Sequence, residues 1–387
     1  MLASKCASTF DSAGRWLNSS AADLGLLRED GDWRCPLWQD GDRGVLRYCH
    51  PVPAMRRWES FPQMSTLGCS VPDASTLLLD VAAARSRRTI YFVGDSMMND
   101  ARFPLLCRLM SDASRHGMAV SLHRDKVALP QKWLTDHRLC GHCAKSLECI
   151  RLAVNSTASS LSCCFMVAGE NRGDRASHAA AALVQQGVAK RGDAVFFNEG
   201  LWHNNATFTR LVHEDVLADV QSAVGDGNAS SVASQSSIPS RSHPTSHPWD
   251  AFEPNTLHQR RERGRILRGA SGVTFIWREM SPQHFKGSPN GGFGAWYAHT
   301  ACAPAPEPDR DPELHAIQLQ MVAAGLPVVW HYQLLSSRWE EHIHRRTSHS
   351  SSHGFDCTHW CMPSGVGEAV VDSLLLALAR GSSSIAG

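Results

Sequence analysis

The sequence predicts an α/β protein built on a central, mainly parallel sheet, with helices on both sides in a three-layer α/β/α arrangement. Two observations carry that prediction. Short apolar runs alternate along the chain with longer segments whose apolar residues recur at helical spacing. The sharpest run, residues 89–93 (Thr-Ile-Tyr-Phe-Val), has basic residues before it and Gly94 after it, as suits a parallel strand buried on both faces. Strands that alternate with helices pack in layers around one sheet.

Taken in order, residues 1–88 are rich in Cys, Trp, Gly and Asp and show little periodicity. They read as a loop-rich, disulfide-tied segment packed on a main domain that spans residues 89–387. After the strand at 89–93, Met98, Ala101, Leu105 and Leu109 share a helical face, so residues 97–110 read as a helix. Pro104 lies inside it and is expected to kink the helix or to mark a late start. Further strands are expected at 118–122, 161–168, 194–197, 273–277 and 327–332. Further helices are expected at 176–189, 208–224, 312–324 and 367–379. Residues 225–248, rich in Ser, Ala, His and Pro, read as a surface insertion. Residues 287–310 read as irregular, being rich in Gly and Pro.

Composition narrows the function classes. A formal net charge of +1, with basic residues scattered along the chain, lacks the basic stripe of a nucleic-acid groove. No run reaches the roughly 18 apolar residues of a membrane span. Met1 to Cys6 show no basic segment followed by an apolar run, so no signal peptide or membrane anchor is visible, and the chain is expected to lack its targeting segment. The 13 cysteines and the sequons at Asn18, Asn155, Asn205 and Asn228 together favour an oxidising, secretory compartment over a cytosolic one with buried thiols. Cys35, Cys49 and Cys69, and Cys357 and Cys361, have spacings that look tied. An odd count leaves at least one thiol free or intermolecular.

Three segments carry chemistry. The first is Gly94-Asp95-Ser96. A serine at the carboxyl end of a parallel strand lies where open α/β sheets place ligands. At a helix N-terminus, its own N–H and the helix dipole can stabilise an oxyanion. Gly94 permits the turn and Asp95 can hold it. The alternative is a plain N-cap serine. The second segment is Phe355-Asp356-Cys357-Thr358-His359-Trp360-Cys361. In a tight turn Asp356 can orient the His359 imidazole, which then serves as the base for Ser96. The alternatives are that Asp356 caps the last helix, or that Cys357, His359 and Cys361 ligate a metal. No second Cys/His pair is spaced to complete a zinc site, so no metal is expected. The third segment is 195–203, where Asn198 at a strand end can lend an N–H to an oxyanion or simply form a turn. Cys140-Gly141-His142-Cys143 matches a redox motif. The polar residues 135–138 before it do not suit that context, and structural disulfides with Cys149, Cys163 or Cys164 are expected instead.

These blocks resemble the plant trichome-birefringence-like family, or PC-esterase superfamily, a branch of SGNH hydrolase-like proteins. Gly14-Arg15-Trp16 resembles its opening motif. Phe92-Val93-Gly94-Asp95-Ser96 resembles its nucleophile motif, and Phe197-Asn198-Glu199-Gly200 with Trp202 an internal block. Arg278, Ser281-Pro282, His284-Phe285 and Gly291-Gly292 resemble a further block. Residues 356–363 follow its closing motif almost residue for residue. The resemblance covers about residues 6–380.

The resemblance implies an SGNH-like fold and an O-acetyltransferase of the Golgi lumen or secretory pathway. Ser96 would take an acetyl group, and a polysaccharide or oligosaccharide hydroxyl would displace it. Ser96, Asp356 and His359 would form the triad. Asn198, Gly94, Asp95, Trp202, Arg278 and His284 would serve the oxyanion or the substrate. Trp202, Trp277 and Trp360 are candidates for aromatic platforms to a glycan, with a buried core role expected for at least one of them. No bound cofactor is implied, only an acetyl donor such as acetyl-CoA or another acetyl ester. Glu199 and Leu201 depart from the family pattern, which has Thr and His there. Two other activities fit the same residues: a carbohydrate acetylesterase, with water as acceptor, or a non-catalytic glycan-binding wall protein.

Overall fold

The structure, a computed structural model, describes residues 14–18, 35, 37, 56–60, 70–129, 146–154, 159–168, 175–199, 206–223, 257–286, 302–304, 311–342, 356–362 and 364–383. Seven strands form one sheet: β3 (Arg87–Gly94), β4 (Val120–Ala128), β5 (Ser146–Val154), β6 (Ser160–Val167), β7 (Ala194–Phe197), β8 (Thr274–Arg278) and β9 (Val328–Val329). Their spatial order is β4-β5-β6-β3-β7-β8-β9. The five strands from β6 to β9 run parallel, whereas β4 and β5 add an antiparallel edge. A separate antiparallel pair joins β1 (Gly14–Asn18) to β2 (Arg56–Ser60).

Strand β3 sits at the centre because both of its faces are apolar. Ile90 and Phe92 point to one face, Tyr91 and Val93 to the other, and all four are buried. On the first face lie α1 (Ser75–Ala83), α2 (Ser96–Arg115) and α8 (Gly365–Ser383), through residues such as Leu78, Leu105 and Val370. On the second lie α3 (Ala176–Gln185), α4 (Ala206–Ser222), α5 (Leu257–Leu267) and α6 (Pro312–Ala323), through Ala180, Val216, Ile266 and Met321. The result is three layers. The chain leaves β3 for β4, returns to one side of it as β6, then crosses to its other side as β7. That change of direction falls at the carboxyl end of β3, where open α/β sheets place their ligands.

Several expectations need correction. Within the front segment, α1 and the first residues of β3 are regular elements, and α1 buries Leu78 in the main core. Helix α2 runs from Ser96 through Pro104 without a late start. Pro104 is buried, so packing on the sheet holds a helix that propensity alone would break. Strand β5 went unread because its burial does not follow a clean period of two. Helix α5 went unread because it is strongly polar, with four arginines in LHQRRERGRIL. The run at 327–332 gives only the two-residue β9, after which α7 (Tyr332–Ser336) begins.

The disulfides also differ from expectation. Cys149 bonds to Cys164, because the β5/β6 register sets the two directly opposite, with Cα atoms 4.0 Å apart. Neighbouring Cys163 points to the other face of the sheet and is free and buried. Cys35 ties the front segment to α2 through Cys107, and Cys357 bonds to Cys302. Cys361 is also disulfide-bonded, as the tied look of the closing motif suggested, but Cys357 and Cys361 do not bond each other. Bonds of this kind belong to an oxidising secretory or extracellular environment. Among the described residues no helix is long and apolar enough to cross a membrane. The insertion at 225–248, most of 287–310, Cys140, Cys143 and Trp202 lie outside the described residues.

Candidate active site

The site begins where β3 becomes α2. Asp95 is the N-cap: its backbone is extended and its carboxylate accepts from the Met97 N–H at 2.9 Å. Ser96 is therefore the first helical residue and not the cap, which frees its hydroxyl. Its N–H is one of the first-turn donors that the helix itself cannot use. Gly94 is required by close approach. A Cβ there would run into Asn198 Oδ1 and sit 2.6 Å from Met98 Cγ. Asn198, at the end of neighbouring β7, is held by its N–H to the Val93 carbonyl at 3.2 Å. Its buried side chain hydrogen-bonds the Asp95 carboxylate.

The closing segment supplies the other half. One Asp356 oxygen accepts from the backbone N–H groups of Thr358 at 3.1 Å and His359 at 3.0 Å. Asp356 thus closes its own turn and does not cap α8. Its second oxygen lies 2.7 Å from His359 Nδ1, and His359 Nε2 lies 2.7 Å from Ser96 Oγ. Residues 263 apart in sequence form one hydrogen-bonded chain, Ser96–His359–Asp356. His359 and Asp356 keep 21% and 17% of their side-chain surface, and Ser96 is half-buried, so the chain opens to the surface.

Charge around this chain is strongly shaped. Burial alone would lower the His359 pKa, but the hydrogen bond to Asp356 and the carboxylates of Asp100, Asp356 and Asp95 outweigh it and raise it to about 9. Burial pushes the Asp356 carboxyl up, yet its hydrogen bonds and the His359 charge leave it below the ordinary value. Asp100, one turn beyond Ser96 on α2, is buried and pushed up to about 6 by desolvation. One of its oxygens has no hydrogen-bond partner. Burial also raises Asp95, opposed first by the charge of Arg278.

Other expected site residues take different places. Arg278 has no exposed surface; it donates to Ser281 Oγ at 3.1 Å and faces Asp95 and Asp100. Burial lowers its pKa to about 10. It is a buried counter-charge to the Gly94–Ser96 turn. His284 is equally buried and hydrogen-bonds the Ser336 carbonyl and His342. Trp277 and Trp360 are fully buried and offer no platform, because each fills the core beneath the site. Trp202 lies outside the described residues. Glu199 sits at the N-terminus of α3, where it accepts from the Ala176 N–H at 2.5 Å.

Asp100, His342 and the Gln283–Thr358 hydrogen bond at 2.8 Å were not read from the sequence. The one available signal was an acidic residue four beyond Ser96, on the same helical face. Among the described residues no three His, Cys, Asp or Glu are grouped to hold a metal, and Cys357 and Cys361 are both in disulfides. In comparison with known proteins, no family model matches the chain and no curated protein matches it significantly.

Proposed function

We propose that the chain is a serine-dependent O-acetyltransferase of the SGNH type, moving an acetyl group through Ser96 to a hydroxyl of a polysaccharide or oligosaccharide. The observation that carries this reading is the Ser96–His359–Asp356 hydrogen-bonded chain at the carboxyl end of the central strand. The disulfides support a secretory setting, and the sequence resemblance supports the Golgi lumen and a wall-type glycan. A triad alone serves many acyl transfers. The choice of acetyl and of a sugar hydroxyl rests on the resemblance of the nucleophile and closing motifs.

The chemistry follows from the geometry. Ser96 Oγ attacks the acetyl carbonyl of the donor as His359 Nε2 takes the serine proton. Negative charge develops on the carbonyl oxygen. The Ser96 N–H and the Asn198 side-chain amide are the donors assigned to that oxygen, and each such donor is worth about 10²–10³ in rate. His359 returns the proton to the leaving group, which departs and leaves acetyl-Ser96. A sugar hydroxyl then attacks the ester, gives its proton to His359, and Ser96 Oγ leaves with that proton. Asp356 fixes the His359 tautomer and stabilises the imidazolium between the two steps.

The experiment supplies an acetyl-ester donor with and without an oligosaccharide acceptor and follows acetate and acetylated sugar together. The expected result is acetylated oligosaccharide at the expense of free acetate. Acetate release unaffected by the sugar would make the protein an esterase. No turnover, with no difference between wild type and Ser96→Ala, would favour a non-catalytic glycan-binding role.

A further inference from the structure

Behind the base lies a chain of two buried histidines. His284 Nε2 is 2.7 Å from the Ser336 carbonyl. His284 Nδ1 is 2.7 Å from His342 Nε2. His342 Nδ1 is 3.0 Å from the carbonyl of His359 itself. A carbonyl oxygen only accepts, so the outer nitrogen of each ring must carry a proton. The two inner nitrogens face each other, and that contact is a hydrogen bond only if one of them also carries a proton. Two bare lone pairs at 2.7 Å would repel. The chain therefore needs three protons, whereas two neutral imidazoles bring only two.

We infer that His284 and His342 share one extra proton, and that this cationic pair is a positioning device which holds the His359 carbonyl and so keeps the base in register with Ser96. The kinetic part of this inference rests on the catalytic reading of Ser96; the proton count does not.

The surroundings suit a cation on His342. Its ring stacks on the Trp360 indole, with centroids 3.8 Å apart and planes at 27°, as a cation over tryptophan prefers. Burial lowers the His284 pKa, while the Ser336 carbonyl and Glu340 oppose it. Among the described residues, the charged groups on the flanking elements are Glu340 and Glu341, both paired with Arg338, and the His359–Asp356 pair of the closing segment. The same segment is gripped from the other side. The His284 N–H donates to the Cys357 carbonyl at 3.1 Å, and Cys357 is bonded to Cys302. Loss of the shared proton removes one of the three hydrogen bonds and leaves a buried acceptor without its donor. The pair titrates as a unit.

Histidine-selective ¹⁵N NMR on the full chain at neutral pH tests the proton count. Three of the four ring nitrogens of His284 and His342 are expected to be protonated, with His342→Phe and His284→Gln assigning the signals. Two neutral rings in the folded wild-type protein would overturn the inference. Kinetics test the positioning role. His342→Phe keeps a ring on Trp360 but cannot donate. It is expected to lose kcat on the order of 10²-fold, with KM little changed. His284→Gln can still accept from His342 and donate to Ser336, and is expected to recover much of that loss relative to His284→Phe. Wild-type kcat in a folded His342→Phe would refute the positioning role. If His342→Phe does not fold, the wild-type spectrum decides alone. If the protein turns over no ester at all, the catalytic reading fails while the spectrum still judges the pair.

Discussion

Ser96 and His359 meet at 2.7 Å, yet they are held there by opposite means. Ser96 stands at the join of two regular elements, the central strand and the long helix α2, and local backbone geometry places it. His359 stands on a segment without helix or strand. It is held by an Asp356 turn, the Cys302–Cys357 disulfide, the Gln283–Thr358 bond and the His342 contact to its carbonyl. On the proposed reading, the nucleophile is placed mainly by local backbone, whereas the base depends on segments far apart in sequence. Loss of function by remote substitution should arise through His359.

The largest expected effect separates the two halves chemically. Asp356→Asn leaves Ser96 in place but removes the anion that orients and charges His359. A fall in kcat on the order of 10⁴-fold is expected, measured by initial rates on an acetyl ester. Activity within a few-fold of wild type would mean that His359 is not the base.

Gly94→Ala attacks the nucleophile half by crowding. The added methyl meets Asn198 and Met98, so the side chain offered as an oxyanion donor must move. A loss of about 10²–10³-fold in kcat is expected. Unchanged kcat would show that Asn198 has no part in the reaction.

Replacing Cys302 and Cys357 together by Ser releases the base half. Stability is expected to fall by about 2–5 kcal/mol in denaturant titration, with kcat falling alongside. The comparison fails if the base remains fully active in a folded variant.

The smallest effect is a shift in pH dependence. His359 acts as a base only when deprotonated, so kcat/KM of the wild type should rise with pH through its raised pKa, about 9. Asp100 is one of the anions that raise it. In Asp100→Asn the midpoint is expected to move to lower pH. A midpoint that moves up or stays would remove Asp100 from the electrostatics of the site.

The same contrast explains what could be read from sequence. The β3–α2 corner was legible because burial on both faces leaves an uninterrupted apolar run, and because the glycine marks a close approach. Strand β7 was read to the residue, since its four positions are all buried. Asp356 and His359 were legible as a pair because they are three apart and one turn joins them. What holds that turn was not legible. The Cys302–Cys357 bond spans 55 residues and the His284–His342 contact spans 58, and no local pattern encodes either. Arg278 and His284 stood out as polar residues in a motif, but polarity does not say whether a side chain faces solvent or a buried partner. Trp277 and Trp360 failed as platforms for the same reason: size and aromaticity suit a core as well as a cleft.

The central claim is that Ser96 carries the acetyl group. Its most direct test exposes the protein briefly to candidate acetyl donors, quenches it in acid, and maps the added mass by peptide mass spectrometry. An acetyl group on the peptide containing Ser96 is expected, absent from Ser96→Ala and discharged when an oligosaccharide acceptor is added before the quench. Turnover of the ester with Ser96 never modified, and with Ser96→Ala fully active, would contradict the account.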